Sequence, residues 1–168
     1  MSGAPIFLCG FMGCGKSTVG RILARMLKTQ CLDLDDYIEK KEGMTIPEIF
    51  EQKGEPYFRS AETQALKDLS SKLMVVATGG GALLSEENAA VARTAGLVVF
   101  IDTPFEVCYE RIKDDPHRPI AASSTKEQLS ERFSQRRPLY LAHSNCVISG
   151  ELGAAEIAKQ AEKIYVQR

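Results

Sequence analysis

One eight-residue segment, GFMGCGKS at residues 10–17, restricts the fold of this chain more than any other feature. It matches the pattern G-x-x-x-x-G-K-S/T, follows the apolar run PIFLC and leads into the helix-period segment STVGRILARMLK. The glycines let the backbone turn its N–H groups toward a phosphate, and the start of the following helix adds partial positive charge. Lys16 can reach the β- and γ-phosphates of a nucleotide, and the Ser17 hydroxyl can bind Mg²⁺. The segment therefore predicts a strand, a nucleotide-binding loop and a helix, in preference to an incidental glycine-rich turn.

Short apolar runs alternate with longer polar segments of helical period along the whole chain. The five runs are PIFLC (5–9), CLDLD (31–35), MVVAT (74–78), LVVFI (97–101) and NCVIS (145–149). Helix-start signals lie between them, namely capping-box patterns at Thr45–Glu48 and Thr125–Gln128, Ser85 before two glutamates, and Thr103 before Pro104. Strand alternating with helix five times predicts a parallel sheet with helices on both faces. A length of 168 residues is that of one domain.

Composition excludes some classes of partner. The net charge of -1 gives no electrostatic basis for binding nucleic acid or an anionic membrane. The longest apolar stretch, GLVVFI, is far too short to span a bilayer, and the first residues lack the basic start of a signal peptide. The five cysteines contain no C-x-x-C pair, which is typical of reduced thiols. We expect a cytoplasmic, soluble, single-domain protein, and a monomer because no long apolar stripe is evident.

An acidic cluster follows the second apolar run. If that run is a strand, Asp33 and Asp35 point to the same side of it. Ligands bind beyond the carboxyl ends of parallel strands, so both carboxylates should lie beside the nucleotide-binding loop. One could hold a magnesium-bound water and the other could accept a proton from a hydroxyl group. The alternative is a pair of helix-capping acids, and we expect Asp36 to open the next helix in solvent.

Glycines and arginines supply the remaining signals. TGGGALL at residues 78–84 follows an apolar run, and three glycines there would leave backbone amides open to a ligand. Singly, Arg59, Arg118 and Arg136 are each typical of a surface arginine. Together they supply what phosphoryl transfer needs, which is a fork for an anionic acceptor and a mobile positive charge. The polar stretch at residues 113–126 is long enough for a mobile functional loop.

The nucleotide-binding loop alone does not identify the reaction, because GTPases, ATPases and small-molecule kinases share it. Neither of the two asparagines, Asn88 and Asn145, begins an N-K-x-D motif for reading guanine, which argues against a GTPase. Asp102 ends the run VVFID and resembles the aspartate that holds Mg²⁺ in many ATPases. Because Thr103 and Pro104 follow at once, we favour a capping or turn role for Asp102.

Several motifs together resemble the shikimate kinases. GFMGCGKSTVGRILA, LDLDDYIE, GMTIPEIFEQKGEPYFRSAE, TGGGALL, RPI and RRPLY fall in the order and spacing of that family. The likeness covers nearly the whole chain, and little diagnostic detail follows Glu151. It implies a three-layer α/β/α P-loop kinase fold similar to the nucleoside-monophosphate kinases, with a five-stranded parallel sheet. It also implies a substrate-binding helical section at about 33–61 and a lid at about 112–124.

The resemblance also implies an activity and a set of roles. The family transfers the γ-phosphate of ATP to the 3-hydroxyl of shikimate, giving shikimate 3-phosphate and ADP on the route to chorismate and aromatic amino acids. Asp35, Lys16 and Arg118 would be catalytic, and Asp35, Arg59, Gly80, Gly81 and Arg136 would bind shikimate. The ATP-binding residues would be Gly13, Cys14, Gly15, Lys16, Ser17, Thr18, Arg111 and Arg118. Mg²⁺ would contact Ser17 and, through water, Asp33.

The chain departs from the family pattern at three places. Cys14 stands where the family often has a smaller residue, and LAH follows RRPLY where a glutamate is common. Arg137 beside Arg136 makes the carboxylate-binding arginine ambiguous, although the position two before Pro138 fits the family best and favours Arg136. Two other functions stay open. One is a gluconate-type sugar-acid kinase, which shares the loop, the chain length and an anionic polyol acceptor. The other is a regulatory module that binds a nucleotide without turnover.

Overall fold

The computed structural model describes residues 3–116 and 118–168. Its sheet has five strands, all parallel, in the order β2-β3-β1-β4-β5. The strands are β1 Ile6–Cys9, β2 Cys31–Asp33, β3 Val75–Ala77, β4 Leu97–Asp102 and β5 Cys146–Ser149. The predicted five-stranded parallel sheet of an α/β fold is therefore confirmed. The three central strands are buried along almost their whole length, as expected for parallel strands covered on both faces.

Helices follow the strands in alternation. They are α1 Lys16–Met26, α2 Leu34–Glu42, α3 Ile46–Lys53, α4 Glu55–Asp68, α5 Glu86–Ala95, α6 Phe105–Ile112, α7 Pro119–Ser123, α8 Lys126–His143 and α9 Ala154–Val166, with a 3₁₀-helix at Ala82–Leu84. Helices α1 and α9 pack together against the sheet, and α5 and α8 form a second packed pair against β4. Within the described ranges, no helix is long and apolar enough to cross a membrane.

Most of the predicted helix starts are present. Thr45 and Thr125 form complete capping boxes with Glu48 and Gln128, and Ser85 caps α5. The capping role predicted for Thr103 is wrong, because α6 begins after Pro104 and the Thr103 hydroxyl donates to the Cys14 carbonyl at 3.0 Å.

The polar stretch at 113–126 contains a short helix, α7, in addition to loop. A proline in the first turn followed by isoleucine and two alanines accounts for this helix. The predicted lid at about 112–124 overlaps this stretch and includes His117, which lies outside the described residues.

The second strand is shorter than its apolar pattern predicts, which corrects the geometry assigned to the acidic cluster. Strand β2 ends at Asp33, whose carboxylate accepts the Asp36 N–H at 3.0 Å and caps α2. Leu34 is fully buried as the first residue of that helix. The prediction that Asp33 and Asp35 alternate along one strand is therefore wrong. Asp36, predicted to open the helix in solvent, is exposed in the first turn of α2, two residues after the helix begins. Helix capping, the alternative interpretation of the cluster, holds for Asp33.

Candidate active site

Two glycines of the nucleotide-binding loop adopt backbone angles that favour glycine. Gly13 and Gly15 have φ angles of 80° and 108°, in the left-handed region that favours glycine. A Cβ on Gly13 would lie 2.7 Å from the Ile112 side chain and 2.9 Å from the Cys108 carbonyl oxygen. Helix α1 begins at Lys16 without a side-chain cap. No side chain caps its first N–H groups, so they can bind an anion, and the helix dipole favours negative charge at that end.

The ammonium group of Lys16 is held by the loop itself. It donates to the carbonyls of Gly10 and Phe11 at 2.7 and 3.2 Å, and it lies 3.6 Å from the Cys14 sulfur. Cys14 is only 2% exposed, and its carbonyl accepts the Thr103 hydroxyl near the end of β4. The Cys14 side chain is therefore a packed part of the loop.

A cleft of about 420 Å³ lies beside this loop. It is lined by the nucleotide-binding loop, by the first turn of α1, by the ends of β2 and β3, and by the segment after α6. Of the residues singled out from the sequence, those that line it are Gly13, Cys14, Gly15, Lys16, Ser17, Thr18, Asp33, Asp35, Gly80, Arg111 and Arg118. Arg111 donates to the Gly13 carbonyl at 2.9 Å, and Arg118 forms an ion pair with Asp115 at 3.2 Å. The structure thus brings both acids and two arginines to the nucleotide-binding loop.

Three consecutive glycines after β3 each lie against one charged side chain. A Cβ on Gly79 would lie 2.9 Å from both Asp35 carboxylate oxygens. A Cβ on Gly80 would lie 3.2 Å from Arg136 Nη1, and one on Gly81 would lie 3.2 Å from Arg59 Nη1. None of the three glycines has a positive φ. Their small size therefore makes room for charged groups, a role that the sequence analysis did not predict. We call residues 79–84 the acceptor loop.

Asp35 is an unusual carboxylate. It lies in the first turn of α2 and is partly buried. Burial, followed by the negative charges of Asp33 and Glu62, raises the pKa of Asp35 from 3.8 to about 6. A raised pKa makes the carboxylate a better proton acceptor while leaving it mostly ionised at neutral pH.

Arg59 lies at the edge of a neighbouring cleft, which Gly81 also lines. Its guanidinium donates to the carboxylate of Glu62 at 2.7 Å and more weakly to that of Glu55 at 3.4 Å. The Glu62 side chain is 3% exposed, and burial raises its pKa against the opposing effect of Arg59. Sequence reasoning missed Glu62 as a partner, although the spacing in F-R-x-x-E places the two side chains on one helical face.

The two adjacent arginines of α8 have different partners. Arg137 binds the Asp102 carboxylate through two hydrogen bonds of 3.0 and 2.6 Å. Asp102 thus pairs with an arginine, whereas the sequence favoured a capping or turn role. Arg136 instead points to Gly80, and Tyr140, one turn later, donates its hydroxyl to the Gly80 carbonyl at 2.5 Å. The geometry therefore brings Arg136, and not Arg137, to the acceptor loop.

A nucleotide-binding loop at the end of β1, with acids and arginines across one cleft, defines a P-loop kinase. The family model for shikimate kinase matches residues 12–165. A shikimate kinase from Aquifex aeolicus is 44% identical over 156 residues, which cover 92% of each chain. One from Persephonella marina is 44% identical over 147 residues, 87% of this chain and 88% of that protein.

A solved structure gives the same result. A shikimate kinase from Acinetobacter baumannii in complex with shikimate superimposes with a TM-score of 0.88 at 37% identity. The match covers 99% of this chain and 94% of that chain. The chain belongs to the shikimate kinase family, whose members are ATP-dependent kinases that phosphorylate a hydroxyl of shikimate. The family expected from the sequence motifs is confirmed.

Proposed function

We propose that the protein transfers the γ-phosphate of ATP to the 3-hydroxyl of shikimate, giving shikimate 3-phosphate and ADP. The observation that carries the proposal is the acceptor loop, where Asp35, Arg136 and Arg59 lie against three successive glycines. One carboxylate and two guanidinium groups match a small cyclic alcohol that carries its own carboxylate. The nucleotide-binding loop lies in the same cleft as Asp35, so the alcohol would face the terminal phosphate.

On the nucleotide side, the backbone of Gly13, Cys14, Gly15, Lys16, Ser17 and Thr18 would surround the phosphates. Lys16 would exchange the carbonyls of its own loop for phosphate oxygens, which are stronger acceptors because they are charged. Arg111 would lie beside the adenine. Arg118, on the proposed lid at about 112–124, would exchange Asp115 for the transferred phosphate and help to exclude water.

On the acceptor side, Arg59 and Arg136 would bind the shikimate carboxylate, and the backbone at Gly80 and Gly81 would complete the pocket. The acceptor hydroxyl would donate to Asp35, which orients it and accepts its proton as the bond to phosphorus forms. Most of the rate enhancement in phosphoryl transfer comes from positioning and charge neutralisation, and the base adds a smaller factor. The section at about 33–61, which contains α2, α3 and the start of α4, would carry this half of the site.

The residues present fit a magnesium ion held mainly by the nucleotide. Mg²⁺ commonly takes one or two protein oxygens and keeps several waters and phosphate oxygens. Ser17 and Asp33 both line the cleft, and Asp33 uses one carboxylate oxygen to cap α2. Within residues 3–116 and 118–168 no cluster of three or more acidic, histidine or cysteine side chains could hold a metal by itself. When bound, Mg²⁺ would neutralise charge on the phosphates.

We extend the proposal to a single domain, residues 1–168, that acts as a cytoplasmic monomer. All five cysteines are free thiols, as expected in a reducing compartment. Light scattering of the purified protein tests the oligomeric state, and a mass of two chains would contradict a monomer.

The proposed reaction is tested by ADP release with shikimate, gluconate and nucleoside monophosphates in parallel. We expect turnover with shikimate at a rate typical of small-molecule kinases, and no more than background with the other acceptors. Turnover with gluconate but not shikimate would establish the sugar-acid kinase instead. Nucleotide binding without turnover of any acceptor would establish the regulatory module.

The raised pKa of Asp35 predicts the pH dependence of the reaction. The carboxylate is the required form, so kcat/KM for shikimate should fall about tenfold per pH unit below about pH 6 and level off above it. Asp35→Asn should remove this dependence from its residual activity. The profile should be measured from pH 5 to 8, with circular dichroism at each pH to show that the protein stays folded. A flat profile in the folded wild-type protein would remove Asp35 from the role of base.

A further inference from the structure

Three buried side chains hold the backbone of the acceptor loop. The Gly80 carbonyl accepts the Tyr140 hydroxyl at 2.5 Å, and the Ala82 carbonyl accepts the Asn88 amide at 2.8 Å. The Leu83 carbonyl lies 2.7 Å from His143 Nδ1. Tyr140, Asn88 and His143 are all at most 6% exposed. Three of the six residues of the loop are thus fixed from outside it, and neither Asn88 nor His143 lines the nucleotide cleft.

Two of these anchors share a helix face with Arg136. Residues 136, 140 and 143 of α8 are spaced by four and three positions, which places them along one side of the helix. The same helix face therefore carries a charged group at the acceptor loop and two of the hydrogen bonds that fix the loop. A displacement of the loop relative to α8 would change the position of Gly80 relative to the Arg136 guanidinium.

His143 is the anchor that has a partner at each of its two ring nitrogens. A carbonyl oxygen can only accept, so the bond to Leu83 requires a hydrogen on Nδ1. The other ring nitrogen, Nε2, lies 2.9 Å from a carboxylate oxygen of Glu86, at the start of α5. Glu86 also binds Arg93 at 2.8 Å, which holds the carboxylate in place. The ring is thereby oriented from both sides, with Nδ1 directed at the acceptor loop.

The glycines bring the backbone of the acceptor loop close to three charged side chains. A methyl group at Gly79, Gly80 or Gly81 would approach Asp35, Arg136 or Arg59 to 2.9–3.2 Å, closer than ordinary contact. A small displacement of the loop would therefore move or release these charged groups. Misplacement by about 1 Å can cost up to about 100-fold in an enzyme site. The Leu83 anchor lies two residues after Gly81, near enough to transmit such a displacement.

We infer that His143 is a positioning residue for the acceptor site, which fixes the acceptor loop through the Leu83 carbonyl and so sets the spacing of Asp35, Arg59 and Arg136. The inference rests on the proposed function, since it names the acceptor that these three groups bind. It concerns the acceptor half of the site, so its main effect is on the KM for shikimate. Because Asp35 also acts in the chemical step, kcat should fall as well, whereas the KM for ATP depends on the nucleotide-binding loop.

Three substitutions test the inference because they separate the two ring nitrogens. His143→Leu keeps a similar volume and removes both ring nitrogens. We expect the KM for shikimate to rise about tenfold and kcat to fall severalfold, with the KM for ATP within about twofold. His143→Asn places an amide nitrogen near the Nδ1 position and should bring the KM back to within about threefold of wild type. His143→Gln places its amide near Nε2, where it reaches Glu86 but not Leu83, and should not restore the KM.

A variant of similar burial, remote from the acceptor loop, separates positioning from general destabilisation. Tyr165 on α9 is 7% exposed and donates its hydroxyl to the Ala4 carbonyl at 2.9 Å. Tyr165→Phe should lower thermal stability and leave the KM for shikimate unchanged. Hydrogen exchange should show faster exchange of the amides at 79–84 in His143→Leu and unchanged exchange there in Tyr165→Phe.

The outcomes distinguish this inference from the proposed function. An unchanged KM in His143→Leu, or an equal rise in Tyr165→Phe, would overturn the positioning role while shikimate phosphorylation by the wild type still stands. Unchanged hydrogen exchange at 79–84 in His143→Leu would also overturn it. If the wild-type protein does not phosphorylate shikimate, the proposed function fails first and the inference fails with it.

Discussion

Replacing Asp35 with asparagine should lower kcat with shikimate by about 1000-fold while the KM for ATP stays within about twofold of wild type. Asparagine keeps the shape and a hydrogen-bond acceptor, but it can neither take a proton nor offer a negative charge to the hydroxyl. A positioned general base contributes about 100- to 10,000-fold, and loss of orientation adds to that. Single-turnover kinetics with saturating shikimate would measure the chemical step directly. A kcat within tenfold of wild type would show that Asp35 is not part of the chemistry.

The same substitution should make the protein more stable, which separates lost chemistry from lost folding. Burial and neighbouring acids raise the pKa of Asp35 from 3.8 to about 6, so the folded protein holds this proton more tightly than the unfolded chain. The stabilisation from this tighter proton binding is fully present below the pKa that Asp35 has in the unfolded chain. It is lost as the pH rises through about 6, the pKa of Asp35 in the folded protein. At pH 8, Asp35→Asn should therefore raise the free energy of unfolding by about 1–3 kcal/mol, and the gain should shrink as pH falls. A loss of stability at pH 8 would contradict the described burial of the charge.

Replacing Arg136 with methionine should raise the KM for shikimate about 100-fold and change the KM for ATP little. A charge-assisted bond from a guanidinium fork to a carboxylate is among the stronger hydrogen bonds, and about 2–3 kcal/mol corresponds to about 30- to 150-fold in binding. Methionine keeps most of the side-chain length, so helix packing is preserved. Initial rates over a range of each substrate give both constants.

Arg137→Met is the matched control, since it lies one residue further along the same helix. Its ion pair with Asp102 is partly exposed, with 44% of the Arg137 side chain accessible to solvent. Loss of such a pair costs about 0–1 kcal/mol of stability, and we expect the KM for shikimate to stay within about threefold. A larger effect in Arg137→Met than in Arg136→Met would exchange the roles assigned to the two arginines.

Local patterns predicted the framework of the fold well. The five apolar runs matched all five strands. The three central strands were the clearest, because parallel strands buried on both faces are apolar along their length. The loop at 10–17 was predictable because its glycines, its lysine and the helix that follows act within one short segment. Capping boxes gave the starts of α3 and α8, since both partners of each box lie within four residues. The motifs that resemble those of shikimate kinases identified the family.

The parts that were not predictable depend on contacts between distant segments. The alternating pattern of apolar and acidic residues placed Asp35 on a strand. In the structure, β2 ends at Asp33, whose side chain caps α2, and Asp35 therefore lies in that helix. The glycines at 79–81 were interpreted as exposed backbone because nothing in their neighbourhood reveals the charged side chains that pack on them. The family pattern favoured Arg136 over Arg137, but the partner of Arg137 could not be predicted because Asp102 lies 35 positions away in the chain. His143 had no assigned role because its two partners come from another part of the sequence.

The central claim is that the acceptor loop and its three charged groups hold shikimate with its 3-hydroxyl toward the nucleotide. A crystal structure with shikimate and magnesium–ADP tests this claim most directly. We predict that the shikimate carboxylate lies within hydrogen-bond distance of Arg59 and Arg136, with the 3-hydroxyl on the Asp35 carboxylate and facing the β-phosphate. Shikimate bound away from the acceptor loop, or bound with its carboxylate toward the nucleotide, would contradict the account.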